Sequence, residues 1–227
     1  MTNRIMMADP GAGYRACAAE YDAAIRRVLL SGHYVLGSEV EGFEREFAHY
    51  LGVAGVVGVA NGTDALELAL RAAGIGPGDS VLTVANTATA TVAAIVATGA
   101  AAKFVEIEPG TMLMDADALE RRLSTANDPS IKAVLPVHLY GQVADMPRLM
   151  EIARRHGLSV IEDCAQAHGA AVAGRKAGAW GDLAAFSFYP TKNLGAFGDG
   201  GAVAGSDTAL LERVRLLRQY GWRQRHV

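Results

Sequence analysis

The chain reads as an α/β protein, a three-layer α/β/α arrangement with helices on both faces of a mostly parallel central sheet. Two observations predict it. From Val53 onward, short apolar segments alternate with stretches of helical period, and Gly74, Gly99 and Gly157 stand just past three of those helical stretches. The apolar segments are also too short and too uniformly hydrophobic for half-exposed strands, which points to strands buried on both faces, as in a parallel sheet. A chain of 227 residues suits one large domain with a short appendage and is ample for a real core.

Two helices are predicted to open the chain, near 15–30 and 38–51. The second starts with Ser38 and Glu41 in capping-box spacing, and Val40, Phe43, Phe47, Tyr50 and Leu51 then recur as one buried stripe. Gly32 and Gly37 bracket a loop between the two helices. Strands follow at 54–60, 80–84, 103–107, 131–137 and 158–162, with helices at 63–73, 88–98, 115–124 and 145–156. After residue 180 the pattern changes: 183–188 and 202–204 read as strands around a glycine-rich turn, and a last helix runs over 207–220. No repeat, low-complexity tract or linker interrupts this order. The organisation is a helical segment over 1–52 followed by a large domain over 53–227.

Composition narrows the function. The net charge is −3, from 21 basic and 24 acidic residues, and the basic ones are scattered; the cluster over 213–225 reads as a solvated helix face, so nucleic acid is not an expected partner. No apolar run is long enough to span a bilayer, and the opening MTNRIMMADPGAGYR lacks a basic segment followed by an apolar core, so the expected location is cytoplasmic. Cys17 and Cys164 are the only cysteines and form neither a disulfide framework nor a metal-ligand spacing. Asn61-Gly62-Thr63 matches a glycosylation sequon, which means little without a secretory signal.

Three segments carry the chemistry. In Val59-Ala60-Asn61-Gly62-Thr63-Asp64 a strand gives way at once to a helix, whose free N–H groups and the Thr63 hydroxyl suit a phosphate; a plain capped helix has the same signature. Val160-Ile161-Glu162-Asp163 brings two carboxylates to the C-terminal end of a buried strand, where open α/β sheets place their ligands. Alternation puts them on opposite faces, so they do not form a shared acid/base pair. A buried carboxylate needs a cationic or hydrogen-bonding partner; a protonated pyridine nitrogen would serve, and so would the amides of a following turn. His138, Asp163 and His168 could converge on a metal, but their spacing matches no strong ligand signature, and no metal is expected. The third segment runs from Phe186 through Lys192 to Gly201. Lys192 lies between an aromatic-rich strand and a loop with four glycines, surroundings in which an amine sheds its proton more readily and can form an imine. Taken alone, a loop lysine is also what a solvated surface charge looks like.

Taken together and in order, NGTDAL, ANTATATVAAI, PVHLYGQVADM, VIEDCAQAHGA and FSFYPTKNLGAFGDGGA resemble the DegT/StrS family of sugar aminotransferases, pyridoxal-phosphate enzymes of fold type I. The resemblance begins at SGHYVLGSEVEGFEREFAHYLGV and covers nearly the whole chain. It implies that Lys192 forms the internal aldimine and moves protons, and that Asp163 pairs with the pyridine nitrogen. It also implies that Gln166 bonds the ring hydroxyl, while Gly62, Thr63 and the Asp64 amide, with Ser187, hold the phosphate. Many relatives place an aromatic where this chain has Ala88, which leaves a weaker wall against one face of the ring. Relatives that dehydrate sugars replace the lysine with histidine, so Lys192 favours amino transfer.

The implied reaction moves an amino group, with glutamate as donor, onto a nucleotide-linked keto sugar in a homodimer. The opening helices and Tyr220-Gly221-Trp222-Arg223 resemble members that aminate 3-keto-6-deoxy sugars. The family's smaller C-terminal domain is expected to be absent from this chain, and that domain normally lends an asparagine to the neighbouring subunit's phosphate. The alternative function is therefore a catalytically incompetent protein of the same fold with a binding or regulatory role. A dinucleotide-binding dehydrogenase does not fit, because the glycines, helix and ribose-binding acid are not in the required order.

Overall fold

A computed structural model describes residues 8–125 and 128–223. The first seven residues, where a leader was sought, and Arg225 of the basic tail lie outside the described residues. Two helices, α1 (Pro10–Ala16) and α2 (Ala18–Ser31), stand where one was expected over 15–30. They are separated by Cys17, whose φ of −132° is not helical, and neither has a buried residue that would hold them straight.

Helix α3 (Ser38–Leu51) has the expected bounds but not the expected cap. The residue with extended backbone before it is Gly37, and no side chain caps the helix; Ser38 is already helical, so the capping box does not form. Glu39 instead makes two bonds with Arg27 of α2, at 2.8 and 3.0 Å. The predicted stripe on α3 is buried at Phe47 and Leu51, whereas Tyr50 is exposed.

Strands and helices then alternate: β1 (Gly55–Val59), α4 (Gly62–Ala72), β2 (Ser80–Val84), α5 (Thr89–Ala97), β3 (Ala101–Val105), α6 (Ala116–Thr125), β4 (Ile131–Val134), α7 (Met146–Arg155) and β5 (Ser159–Asp163). A short hairpin, β6 (Ala171–Val172) with β7 (Arg175–Lys176), precedes β8 (Leu183–Ser187), β9 (Gly201–Gly205) and α8 (Thr208–Arg218). Strand β4 stops short of the predicted 137 because Pro136 has no N–H to give a ladder. Gly74, Gly99 and Gly157 all take left-handed backbone where helices end, as their positions suggested. The hairpin was not foreseen; two-residue strands are too short to show a period.

The seven-stranded sheet has the order β1-β9-β8-β5-β4-β2-β3. Only β9 opposes the others, being antiparallel to both β1 and β8. Side-chain alternation feeds two cores. Val57, Leu183, Ala185 and Val203 join Leu66 and Leu70 of α4 and Leu211 of α8 on one face. Val56, Ala184, Phe186 and Ala202 meet Phe47 and Leu51 of α3 on the other. Helices thus cover both faces, and the fold is the expected α/β class. Burial on both faces fails only toward the margins: Phe104 of the edge strand β3 is half exposed. Among the described residues, no helix is long and apolar enough to cross a membrane.

The other edge of the sheet is closed by side chains. Gly58 of β1 donates its N–H to Glu44 Oε1 at 2.8 Å, and Arg218 Nη1 donates to the same oxygen at 2.7 Å and to the Gly58 carbonyl at 3.0 Å. Glu44 and Arg218 are both largely buried, so this link ties α3, β1 and α8 and occupies an edge that would otherwise be open to pairing. Removing the acceptor strands a backbone donor and a guanidinium together. Glu44→Ala is expected to lower the unfolding free energy by about 2 kcal/mol in denaturant titration, and Glu44→Gln by roughly half as much.

Candidate active site

Strands β1, β2, β4, β5 and β8 run in one direction, so their C-terminal ends meet at one edge of the sheet. Each cofactor-site candidate read from the sequence stands at or just beyond one of those ends, which is where open α/β sheets bind ligands.

The turn from β1 into α4 is built around Asn61. Its side-chain oxygen accepts the Asp64 N–H at 2.8 Å and caps the helix. The Asp64 amide is therefore already engaged within the chain, and the phosphate expectation falls on Gly62 and Thr63 ahead of it. Close packing explains the glycine: a Cβ on Gly62 would lie 2.6 Å from the Ser187 Cβ and 3.1 Å from its hydroxyl. The α4 helix start and the buried Ser187 hydroxyl at the end of β8 are thus pressed together.

A small cleft is lined by Thr87, Ala88, His138, Asp163, Gln166 and Lys192, among others. Four predicted site residues, Ala88, Asp163, Gln166 and Lys192, therefore meet, although up to 104 positions separate them in sequence, from Ala88 to Lys192. Gly62, Thr63 and Ser187 are not in its lining. Lys192 is partly buried, and its backbone N–H donates to the Tyr189 carbonyl at 2.8 Å, closing the turn that carries it. Gln166 Oε1 accepts the Tyr140 N–H at 2.7 Å, which leaves its NH₂ group free to donate into the cleft. Tyr140 reaches this position with a φ of +56°. A larger hollow, about 760 Å³, is lined by Tyr34, Phe43, Ala60, Leu194, Gly201 and Tyr220, among others.

The two carboxylates of β5 have separate partners, as alternation requires. Glu162 is fully buried: His138 Nε2 donates to it at 3.0 Å, and the amides of Gly178, Trp180 and Gly181 donate at 2.9, 2.8 and 2.7 Å. The Ala144 N–H donates to His138 Nδ1 at 3.2 Å, which puts the ring proton on Nε2. Burial pushes the Glu162 carboxyl up, but the bonds from His138 and from the Gly181 and Gly178 amides outweigh it and hold the pKa below the usual carboxylate value. Asp163 goes the other way. Burial raises its pKa, and the Thr91 hydroxyl, the Ala165 amide and the charge of Lys192 only partly offset that.

The metal alternative loses its geometry. His138 is turned to Glu162, and the His168 ring packs 5.5 Å from those of Phe186 and Phe188. Among the described residues, His138, Glu162 and Cys164 do bring ligand atoms within 4.8 Å of one another. Glu162 is already fully bonded, however, and burial raises the pKa of the Cys164 thiol well above its ordinary value, against metal binding as thiolate.

Comparison with known proteins then fixes the relationship. The sequence pattern of the DegT/DnrJ/EryC1/StrS aminotransferase family matches residues 16–227. The chain belongs to this family. As a DegT/DnrJ/EryC1/StrS family member it is 52% identical over 225 residues to dTDP-3-amino-3,4,6-trideoxy-alpha-D-glucose transaminase of Streptomyces venezuelae, a match covering 99% of this chain and 58% of that protein. The crystal structure of S. venezuelae DesV in complex with a ketimine intermediate has a TM-score of 0.94 at 52% identity, covering 100% of this chain and 60% of that one. Bacillus subtilis NtdA with bound cofactor PMP gives 0.81 at 33% identity, covering 95% of this chain and 49% of that one. This family member therefore spans roughly half to three-fifths of the length of these relatives.

Residues the sequence reading passed over hold the site together. Thr91 Oγ1 donates to Asp163 Oδ2 at 2.8 Å, and His138 binds the Glu162 carboxylate through its ring and the Asp163 backbone carbonyl through its backbone N–H. The available signal for Thr91 was a pair of threonines, Thr87 and Thr91, one helical turn apart beside an otherwise apolar stretch.

The opposite shifts give opposite pH signatures. Glu162 stabilises the fold above its unfolded pKa, and that contribution is lost as pH falls through the depressed folded value. Glu162→Ala also leaves three amides and a histidine without an acceptor, and is expected to cost about 3–5 kcal/mol in denaturant unfolding. Asp163, with a raised pKa, favours the fold at low pH, and that stability is lost as pH rises through the folded value. In cofactor-free protein, Asp163→Asn should therefore gain stability relative to the unsubstituted chain as pH rises above the ordinary carboxylate range toward the raised folded value, as read from thermal unfolding at each pH.

Proposed function

We propose that this chain forms the cofactor-binding part of a pyridoxal-phosphate aminotransferase that transfers an amino group from glutamate to a nucleotide-linked keto sugar. The observation that carries this reading is the meeting of the Lys192 amine and the buried Asp163 carboxylate in one cleft. Family membership and the 3-amino sugar in the name of the S. venezuelae relative support a sugar substrate, and specifically a 3-keto-6-deoxyhexose. A homodimer in the cytoplasm belongs to the same reading.

The residues present fit the cofactor. A buried carboxylate with a raised pKa is unfavourable alone and favourable beside a cationic ring nitrogen, so Asp163 would hold a proton on that nitrogen. Bound there, pyridoxal phosphate would supply an electron-accepting ring that lets the proton on an attached amine's carbon be removed. Lys192 would hold the cofactor covalently and, once released, carry that proton. Gln166, with its carbonyl oxygen taken by Tyr140, would donate to the ring hydroxyl. Gly62, Thr63 and Ser187 would receive the phosphate at the start of α4. Ala88 would leave one ring face lightly packed.

Mixing the purified chain with pyridoxal phosphate should produce a yellow species, and borohydride followed by peptide mapping should place the label on Lys192. Lys192→Ala should lose at least 90% of the label, roughly the limit of such mapping, with its thermal unfolding unchanged, since a loop lysine contributes little to the core. Label retained by that variant would remove Lys192 from the role. Added glutamate should convert the yellow species to the amine form of the cofactor; a bound cofactor that ignores glutamate would favour a binding role instead.

A further inference from the structure

Helix α5 is apolar except for its threonines, and the buried Thr91 within it behaves differently from the buried Thr98 that follows it. Thr98, just past its end, bonds back to the Ile95 carbonyl at 2.7 Å, the usual local arrangement for a helical threonine. Thr91, inside the helix and fully buried, does not. Its hydroxyl donates to Asp163 Oδ2 at 2.8 Å, 72 residues away in sequence. Thr87 lies one turn earlier, on the lining of the cleft, with its hydroxyl 2.7 Å from that of Thr91.

The hydrogens can be assigned by counting. A hydroxyl has one proton, and an ionised carboxylate only accepts. With the Thr91 proton on Asp163, Thr91 must accept from Thr87, so the Thr87 proton points inward and its lone pairs face the cleft. The other Asp163 oxygen, Oδ1, accepts the Ala165 N–H at 3.1 Å. Each carboxylate oxygen thus has one protein donor, and the acid cannot rotate without breaking both bonds.

We propose that Thr91 is the positioning residue for Asp163, and that Thr87 and Thr91 form a two-hydroxyl chain from the cleft to the carboxylate which fixes how that acid meets a cationic ring nitrogen. The proposal rests on the pyridoxal-phosphate reading for its ligand, while the hydroxyl chain itself belongs to the free protein. The chain has neutral donors only. The titratable and charged groups around Asp163 are His138, whose backbone N–H bonds the Asp163 carbonyl, Lys192 across the cleft, Glu162 and Cys164 beside it in sequence. None of these occupies Oδ2. Successive hydroxyls polarise one another, which strengthens the terminal bond to the charged form.

The test compares Thr91→Val, nearly equal in shape but without the hydroxyl, with Thr91→Ser, which restores it. Retention of pyridoxal phosphate, titrated by its visible band, should weaken about tenfold in Thr91→Val and less than about threefold in Thr91→Ser. Thr87→Val should weaken it a few-fold, and should add nothing in a Thr91→Val background, because the chain is then already cut. In cofactor-free protein, Thr91→Val should lose stability relative to the unsubstituted chain as pH rises above the ordinary carboxylate range, since Asp163 would ionise without its donor. Equal cofactor retention in all variants, or a pH profile unmoved by Thr91→Val, would overturn the proposal. An unsubstituted chain that takes up no cofactor would instead overturn the reading of the site, and the cofactor-free pH profile would still decide the hydroxyl chain.

Discussion

The arrangement depends on keeping one carboxylate out of water at the end of a strand. Asp163 is 5% exposed, and burying such a group without partners is among the costlier things a fold can do. Its backbone N–H donates to Pro136 and its carbonyl accepts from His138, while Thr91 and Ala165 take its two side-chain oxygens. The chain beyond β4 holds its backbone, and helix α5 and the turn after β5 hold its side chain. What these donors leave over is a raised pKa, a charge deficit facing a cleft.

Glu162, the next residue back, shows what a purely structural carboxylate looks like in the same strand. It is equally buried, yet four donors over-satisfy it, and its pKa falls rather than rises. Those donors come from the 178–181 segment and from His138, so Glu162 binds the loop ahead of β8 to the chain beyond β4. Glu162 ties the segments around the C-terminal edge of the sheet together, and Asp163 lines the cleft at that edge. The division follows from strand alternation, which sends adjacent side chains to opposite faces.

Much of this was legible in one dimension because it depends on local rules. The strands at 80–84 and 183–187 and the helix at 38–51 follow from hydrophobic period, and the glycines after helices follow from left-handed termini. Where local rules compete, the reading slipped. Ser38 lost its capping role to Gly37, because the extended backbone fell one residue earlier; the opening helix broke at Cys17, where no buried contact opposed the break. The 171–176 hairpin carries too few residues to show any pattern.

The site divides along the same line. Residue type and position at strand ends marked Asp163, Lys192 and the Gly62-Thr63 turn as candidates, and the family resemblance added Gln166. They could not reveal that the Asp64 amide is spent on Asn61, that Tyr140 turns Gln166, or that Thr91 reaches Asp163. The sequence by itself determined the fold class, the sheet edge and the family, because periodicity and ordered motifs are properties of a line. Tertiary structure decided which donors reach which oxygens, because hydrogen bonds across 26 and 72 residues depend on distances that exist only once the sheet has formed.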